Sequence, residues 1–209
     1  MMFSEEKINL LRDSVRSTMS DFRFVHTAEV EKMAACIAQI YAPEQIDILR
    51  AAALLHDVTK ELGVDEQINM LQSFGETVSE LDKLSYKTLH ERTAPYEIKK
   101  TYPDFADSEV LLAVRYHTTG RADMSLCEKI IFLADYIDMS RKFDDCVFLR
   151  NYFWSAEPQK MTECERLAHL DKTLMLALDM TVKALIEEKS PISIESIEAR
   201  NYLVAKLAE

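Results

Sequence analysis

Apolar residues in this chain recur mostly at intervals of three and four, the spacing that lays one face of an α-helix against a core. Ile8, Leu11 and Val15 form such a face behind Ser4, which can cap a helix, and Glu5 and Glu6 suit its positive start. That first helix reads as a short amphipathic lead-in, about residues 1–19. Val30, Met33, Ile37 and Tyr41 predict a second helix from Asp21 to Tyr41. Counting back four from Val30 puts His26 on the same apolar face. Pro43 opens a third helix running through about Lys60, where Ile46, Leu49, Ala53 and His56 share one stripe, so His56 is also expected to point inward.

After Leu62-Gly63 the pattern weakens, and helical pieces are expected at roughly Asp65 to Phe74 and Val78 to His90, then a segment ended by Tyr102-Pro103. Ser108 can cap a helix carrying Val110, Leu111, Val114 and His117, which Thr118-Thr119-Gly120 terminates because glycine accepts the left-handed backbone of helix ends. Ser125-x-x-Glu128 is a capping box ahead of Leu126, Ile130, Leu133 and Ile137, a helix that carries Asp135. A second box, Thr162-x-x-Glu165, opens a long apolar helix to about Glu188. Pro191 then precedes a last helix ending near Ala208.

Composition supports the all-α reading. Only 3 glycines and 5 prolines occur in 209 residues, too few for the many turns of a β-sandwich or barrel. Hydrophobic residues make up 48% and charged residues 29%, which excludes intrinsic disorder. We expect one domain over residues 1–209, with C-terminal helices from about 162–209 packed on the rest. A net charge of −11 argues against sequence-independent binding to nucleic acid or to an anionic membrane. The longest uncharged stretch, residues 33–43, is too short to span a bilayer, and the opening MMFSEEKINLLRD lacks the apolar core of a signal peptide. A cytoplasmic protein is expected. Cys36, Cys127, Cys146 and Cys164 make no C-x-x-C pair and read as small buried hydrophobes.

With five histidines in the chain, a single His-Asp dipeptide arises easily by chance, and His56-Asp57 alone carries little weight. Its context carries more, because His26, His56 and Asp57 lie on two successive helices at or beside the core stripe. Burying such groups unpartnered would cost several kcal/mol, and a shared metal ion is one of the few arrangements that satisfies them all.

His26, then His56-Asp57 inside AALLHDVTK, then Asp135 inside IIFLADYID resembles the H…HD…D signature of HD-domain metal-dependent phosphohydrolases. More specifically, RFVHT at 23–27, the isolated His90, YHTTG at 116–120, LADYIDMSR at 133–141 and EARN at 198–201 look like the YqeK family. Its members are small bacterial HD-domain enzymes that split diadenosine tetraphosphate symmetrically into two ADP. The likeness spans about residues 20–205. Two positions depart from it without removing a proposed ligand: Glu91 follows His90 in place of a glycine, and Asp138 stands where glutamate is common.

The resemblance implies an HD-domain helical bundle and two divalent metal ions, iron by preference with manganese or cobalt as alternatives. One ion would be held by His26, His56, Asp57 and Asp135, the other by Asp57, His90 and His117. Asp57 can serve both because a carboxylate has two oxygens, and mixed imidazole and carboxylate ligation without thiolate argues against a structural zinc site. A metal-activated hydroxide would then attack an inner phosphorus of a dinucleoside polyphosphate. Lys60, four residues beyond His56, and Arg141, six beyond Asp135, are candidates to clamp phosphate with a catalytic role; as solvated helix-end charges they would need no such role. Thr118, Thr119 and Gly120 would form a phosphate-side loop, and Arg23 is a weaker phosphate candidate on the His26 face. His169 lies outside every motif and reads as structural or exposed. The aromatic run Tyr152-Phe153-Trp154 is more simply packing than a surface for adenine. Two rivals remain open: an HD phosphohydrolase for another nucleotide, such as a phosphomonoesterase or an alarmone hydrolase, and a non-catalytic nucleotide sensor. The sequence leaves the oligomeric state open, a homodimer included.

Overall fold

The computed structural model describes residues 2–208, and it is helical throughout, with no strand among them. Glu5–Arg16 (α1) begins where the Ser4 hydroxyl accepts from the Lys7 amide, and buries Ile8, Leu11 and Val15. Asp21–Tyr41 (α2) and Ile46–Leu55 (α3) follow. The middle of the protein is α3: Leu49 and the run Ala51–Leu55 have no exposure, and α1, α2, α7 (Ser108–Arg115) and α8 (Leu126–Ile137) all pack against it. Small side chains at 51–53 let those four neighbours approach a single helix closely.

The third helix is shorter at both ends than the apolar pattern predicts. Pro43–Gln45 forms a 3₁₀ turn, and beyond Leu55 the chain changes to i→i+3 bonds, Val58 to Leu55, Lys60 to Asp57 and Leu62 to Thr59. His56 and Asp57 therefore stand on a tight turn at the end of a buried helix.

Val64–Ser73 (α4) matches expectation, but the stretch expected as one helix from Val78 to His90 is divided into Glu80–Leu84 (α5) and a 3₁₀ turn at Tyr86–Thr88. His90 instead opens a new helix, Leu89–Thr101 (α6), which continues through Pro95. The cap of α7 is Asp107, whose carboxylate accepts from the Glu109 amide, and not Ser108. His117 lies past the end of α7, and Gly120 (φ 67°) takes the left-handed backbone expected of it. An added Cβ there would lie 3.4 Å from Ala199 Cβ, in ordinary van der Waals contact, so the backbone conformation and not crowding calls for glycine.

The Ser125 and Thr162 boxes open α8 and α10 (Glu163–Glu187) as expected. Between them Asp144–Ser155 (α9) occupies a stretch in which the apolar pattern marks no element. Ile194–Leu207 (α11) folds back on α10 and reaches the 116–120 turn, where Ser196 Oγ donates to the Thr119 carbonyl at 2.9 Å. One continuous apolar core runs from Phe3 and Ile8 to Leu203. Two of the four cysteines are not buried as the sequence reading expects. Cys127 and Cys146 are buried, but Cys36 falls with Lys32 on the outer face of α2, and Cys164 sits in the exposed first turn of α10.

Candidate metal centre

Four histidines converge, from α2, the end of α3, α6 and the turn after α7, and two of them are held the same way. His56 Nδ1 lies 2.6 Å from the Ala53 carbonyl and His117 Nδ1 lies 2.6 Å from the Val114 carbonyl, each three residues back at the end of its own helix. His26, on α2, has no such carbonyl; its Nδ1 is 3.3 Å from Asp138 Oδ2, a carboxylate at the end of α8 with no exposure. A carbonyl or carboxylate at Nδ1 fixes the proton there and leaves Nε2 with its lone pair turned inward. Nε2 of both His26 and His56 is buried without any hydrogen bond.

Asp57 lies at the centre. Its Oδ2 is 3.5 Å from His56 Nε2 and 3.7 Å from His26 Nε2, while its Oδ1 is 3.2 Å from His90 Nε2 and 3.7 Å from His117 Nε2. Asp135 Oδ1 closes the first side, 3.0 Å from His26 Nε2 but out of line for a hydrogen bond, and 3.8 Å from His56 Nε2. On the other side the two Nε2 atoms of His90 and His117 face each other at 3.0 Å. Three sets of donors come close enough to share a cation: His26, His56 and Asp57; Asp57, His90 and His117; and His26, Asp135 and Asp138. Unsatisfied imidazole nitrogens aimed at carboxylates, with no thiolate among them, are donors suited to divalent cations. The residues fit such a group.

Charges around the cluster differ from end to end. Burial by itself would lower the His26 pKa, but Asp135 and Asp138 outweigh it and raise it to about 9. Burial dominates at His90 and, with Lys60 close by, lowers its pKa to about 3. Burial would raise the carboxyls of Asp57 and Asp135, yet the histidines around Asp57 and the Arg141 guanidinium beside Asp135 hold both well below the usual carboxylate range.

All six proposed ligands, His26, His56, Asp57, His90, His117 and Asp135, are brought together. Three cations surround them. Arg23 Nη1 is 2.7 Å from Asp57 Oδ2, Arg141 Nη2 is 2.6 Å from Asp135 Oδ1, and Lys60 Nζ lies 3.1 Å from His90 Nδ1 and 3.2 Å from the Lys87 carbonyl. The 118–120 turn is beside the site but its amides are engaged: Thr118 N and Thr119 N both donate at 3.0 Å to Glu91 Oε2, and Thr119 Oγ1 donates to Oε1 at 2.8 Å. Only Thr118 Oγ1, 3.3 Å from His90 Nε2, faces the cluster. His169 is buried on the far side, with Nε2 3.0 Å from the Phe153 carbonyl and its ring stacked on Phe153, a packing role.

Sequence reasoning did not give roles to three supports. Asp138 is one turn beyond Asp135, a spacing that points both at one site. Glu91, adjacent to His90, is buried and ties α6 to the 118–120 turn. Arg150, from α9, donates at 2.7 Å to the carbonyls of Ile137, Asp138 and Arg141 and so closes the end of α8. Nothing local in the sequence marks Arg150.

Comparison with known proteins places the chain. The HD domain family matches residues 23–140, which include His26, the His56-Asp57 pair and Asp135. The chain is an HD-domain protein. A symmetrical bis(5′-nucleosyl)-tetraphosphatase of Halalkalibacterium halodurans is 31% identical over 91% of this chain and 93% of its own, and one of Staphylococcus aureus is 30% identical over 90% and 89%. The chain belongs to the family of these proteins. A solved structure of a predicted HD superfamily hydrolase involved in NAD metabolism, from Clostridium acetobutylicum, superposes with a TM-score of 0.80 at 32% identity, covering 99% of this chain and all of that one.

Proposed function

We propose that this protein is a symmetrical bis(5′-nucleosyl)-tetraphosphatase, hydrolysing diadenosine tetraphosphate to two ADP. The observation that carries the reading is the complete, inward-facing cluster of four histidines and two aspartates, in a chain that aligns nearly end to end with relatives of that name. Two divalent cations, iron by preference with manganese or cobalt as substitutes, supply Lewis acidity and positive charge for the phosphate oxygens when bound. His26, His56, Asp57 and Asp135 would hold one, and Asp57, His90 and His117 the other.

The rest is work for the chain's own side chains. Arg23 and Arg141 rest on Asp57 and Asp135, the carboxylates that would take cations; with those carboxylates engaged, both guanidinium groups are free to turn to phosphate. Lys60 Nζ, held above His90, offers a third positive group with a catalytic role. Thr118 Oγ1 is the one group of the 118–120 turn placed to reach substrate; Thr119 and Gly120 shape the turn. A cavity of about 490 Å³, lined by Thr88, Glu91 and Thr119, sequence neighbours of His90 and His117, and by residues 191–195, has room for one nucleoside. Among the described residues no helix is long and apolar enough to cross a membrane, and a cytoplasmic enzyme built as one HD-type unit is the reading we adopt.

Product analysis tests the proposal. Diadenosine tetraphosphate should yield ADP alone, and in heavy-oxygen water one ADP of each pair should carry the label, since one water oxygen enters per bond broken. ATP plus AMP would reject symmetric cleavage. Inorganic phosphate from mononucleotides without dinucleotide turnover would favour the phosphomonoesterase rival, and binding with no turnover a sensor.

A further inference from the structure

A second cavity adjoins the His26 end of the histidine–aspartate cluster. It measures about 400 Å³, His26 and Ser140 form its inner wall, and Phe22, Val25 and Met139 form its outer wall with Lys142 and Glu29 at its edges. The outer wall is apolar and open: Phe22 is 82% exposed, Val25 58% and Met139 51%. Nothing in the fold requires three large apolar side chains here, since the core face of α2 is carried by Val30, Met33, Ile37 and Tyr41. Phe22 is four residues before His26, about 6 Å along the axis of α2. Met139 is joined to Ser140, whose Oγ lies 3.4 Å from His26 Nδ1.

We propose that the Phe22, Val25 and Met139 cavity receives the second nucleoside of a dinucleoside polyphosphate, its base stacking on Phe22. The inference rests on the proposed function. A substrate with identical ends, cut in the middle, needs room for a nucleoside on each side of the cleavage site. Contacts run in a row from His26 through Asp57 to His90 and His117, and this cavity, with His26 in its wall, opens at the first end of that row. The chemistry of the second cavity suits a base and not a second protein copy. Its volume falls in the range of small-ligand pockets. Phe22 offers the flat ring on which bases of any sequence stack, and Lys142, with Arg141 and Arg23 at the cluster, gives positive charge along the path of the phosphates. Glu29, whose Oε1 accepts from Lys32 Nζ at 2.6 Å, has its second oxygen as an acceptor for an exocyclic amino group. The cavity on the His90 side has no aromatic residue in its lining, so the two ends hold a nucleoside by different means.

The test compares metal-loaded wild type, Phe22→Ala and Phe22→Tyr on diadenosine tetraphosphate and on adenosine tetraphosphate, which has the same four phosphates but one nucleoside. In Phe22→Ala the KM for the dinucleotide should rise about tenfold, about 1.4 kcal/mol. Its kcat/KM preference for the dinucleotide over adenosine tetraphosphate should fall by the same factor, and Phe22→Tyr should restore both. An unchanged preference overturns the proposal. So does an unchanged preference accompanied by a shift in sedimentation, which would show that a second copy covers the patch. If wild type turns over neither substrate, the proposed function fails separately, and Phe22→Trp decides the cavity: saturable quenching of the new indole by diadenosine tetraphosphate retains it, and no quenching removes it.

Discussion

The two ends of the histidine–aspartate cluster are built from similar residues and behave as opposites. At the His26 end the imidazole faces three carboxylates, Asp57, Asp135 and Asp138, and holds its proton to about pH 9. At the His90 end the imidazole faces His117 and Lys60 with one carboxylate, and is neutral down to about pH 3. One end has ample negative charge but must release a proton to bind a cation; the other is already deprotonated but poor in negative charge. A single histidine type thus serves two electrostatic settings, and the difference lies in the neighbours.

Asp57 is where the ends meet, so its loss should remove the contrast altogether. Asp57→Ala should purify with almost no metal and with activity at background, by elemental analysis and product assay; full metal and activity would mean that the two ends do not share this carboxylate. Next come His26→Ala and His90→Ala, each expected to remove the metal of its own end and to leave the other. If either variant loses all metal, the ends fill cooperatively and cannot be treated separately. Lys60→Ala and Arg141→Ala, one at each end, should keep metal and lower kcat/KM by about 10- to 1000-fold, roughly 1.4–4 kcal/mol. Unchanged kinetics would make them solvated charges only.

Supports come next. Arg150→Ala leaves three carbonyls at the His26 end without their donor, and Glu91→Ala leaves two amides at the His90 end without their acceptor. Each should weaken cation affinity at its own end by about 10- to 100-fold. Equal weakening at both ends would show that the supports act on the whole cluster.

The smallest effect is on the stability of chelated, metal-free protein. His26 binds its proton more tightly folded than unfolded, so its contribution is complete below its ordinary value of 6.5 and is lost as pH rises through about 9. His90 binds its proton less tightly folded, so its contribution is present above 6.5 and is lost as pH falls towards about 3. Melting temperature should therefore fall on both sides of about pH 6.5. His26→Gln should flatten the alkaline limb and His90→Gln the acid limb; limbs that stay unchanged would show that these two groups do not set the slopes.

Much of this was readable from spacing. Capping boxes at Ser125 and Thr162 and apolar stripes on α1, α2, α8 and α10 are local signals, and the structure keeps them. What spacing could not show depends on contacts between distant parts. The turn at His56 and Asp57 ends a helix whose sequence has no breaker before Gly63. α6 continues through Pro95, a residue that normally stops a helix. α9 starts at Phe143 without a side-chain cap, and its buried Cys146, Leu149 and Phe153 are interleaved with the exposed Phe148 and the half-open Tyr152, which blurs the stripe. The same limit hid Arg150, since a guanidinium that closes three carbonyls looks in sequence like any surface arginine.

His26 and Ser140 meet across 114 positions of chain. In folding terms this is a long loop, whose closure entropy must be met before any contact at the His26 end is gained. During synthesis, α2 and α3 can pair as soon as both have emerged, but the His26 end has no Asp135 or Asp138 until α8 has followed. The His26 end is therefore completed late, and a chain stalled before residue 135 presents His26, His56 and Asp57 without Asp135 and Asp138.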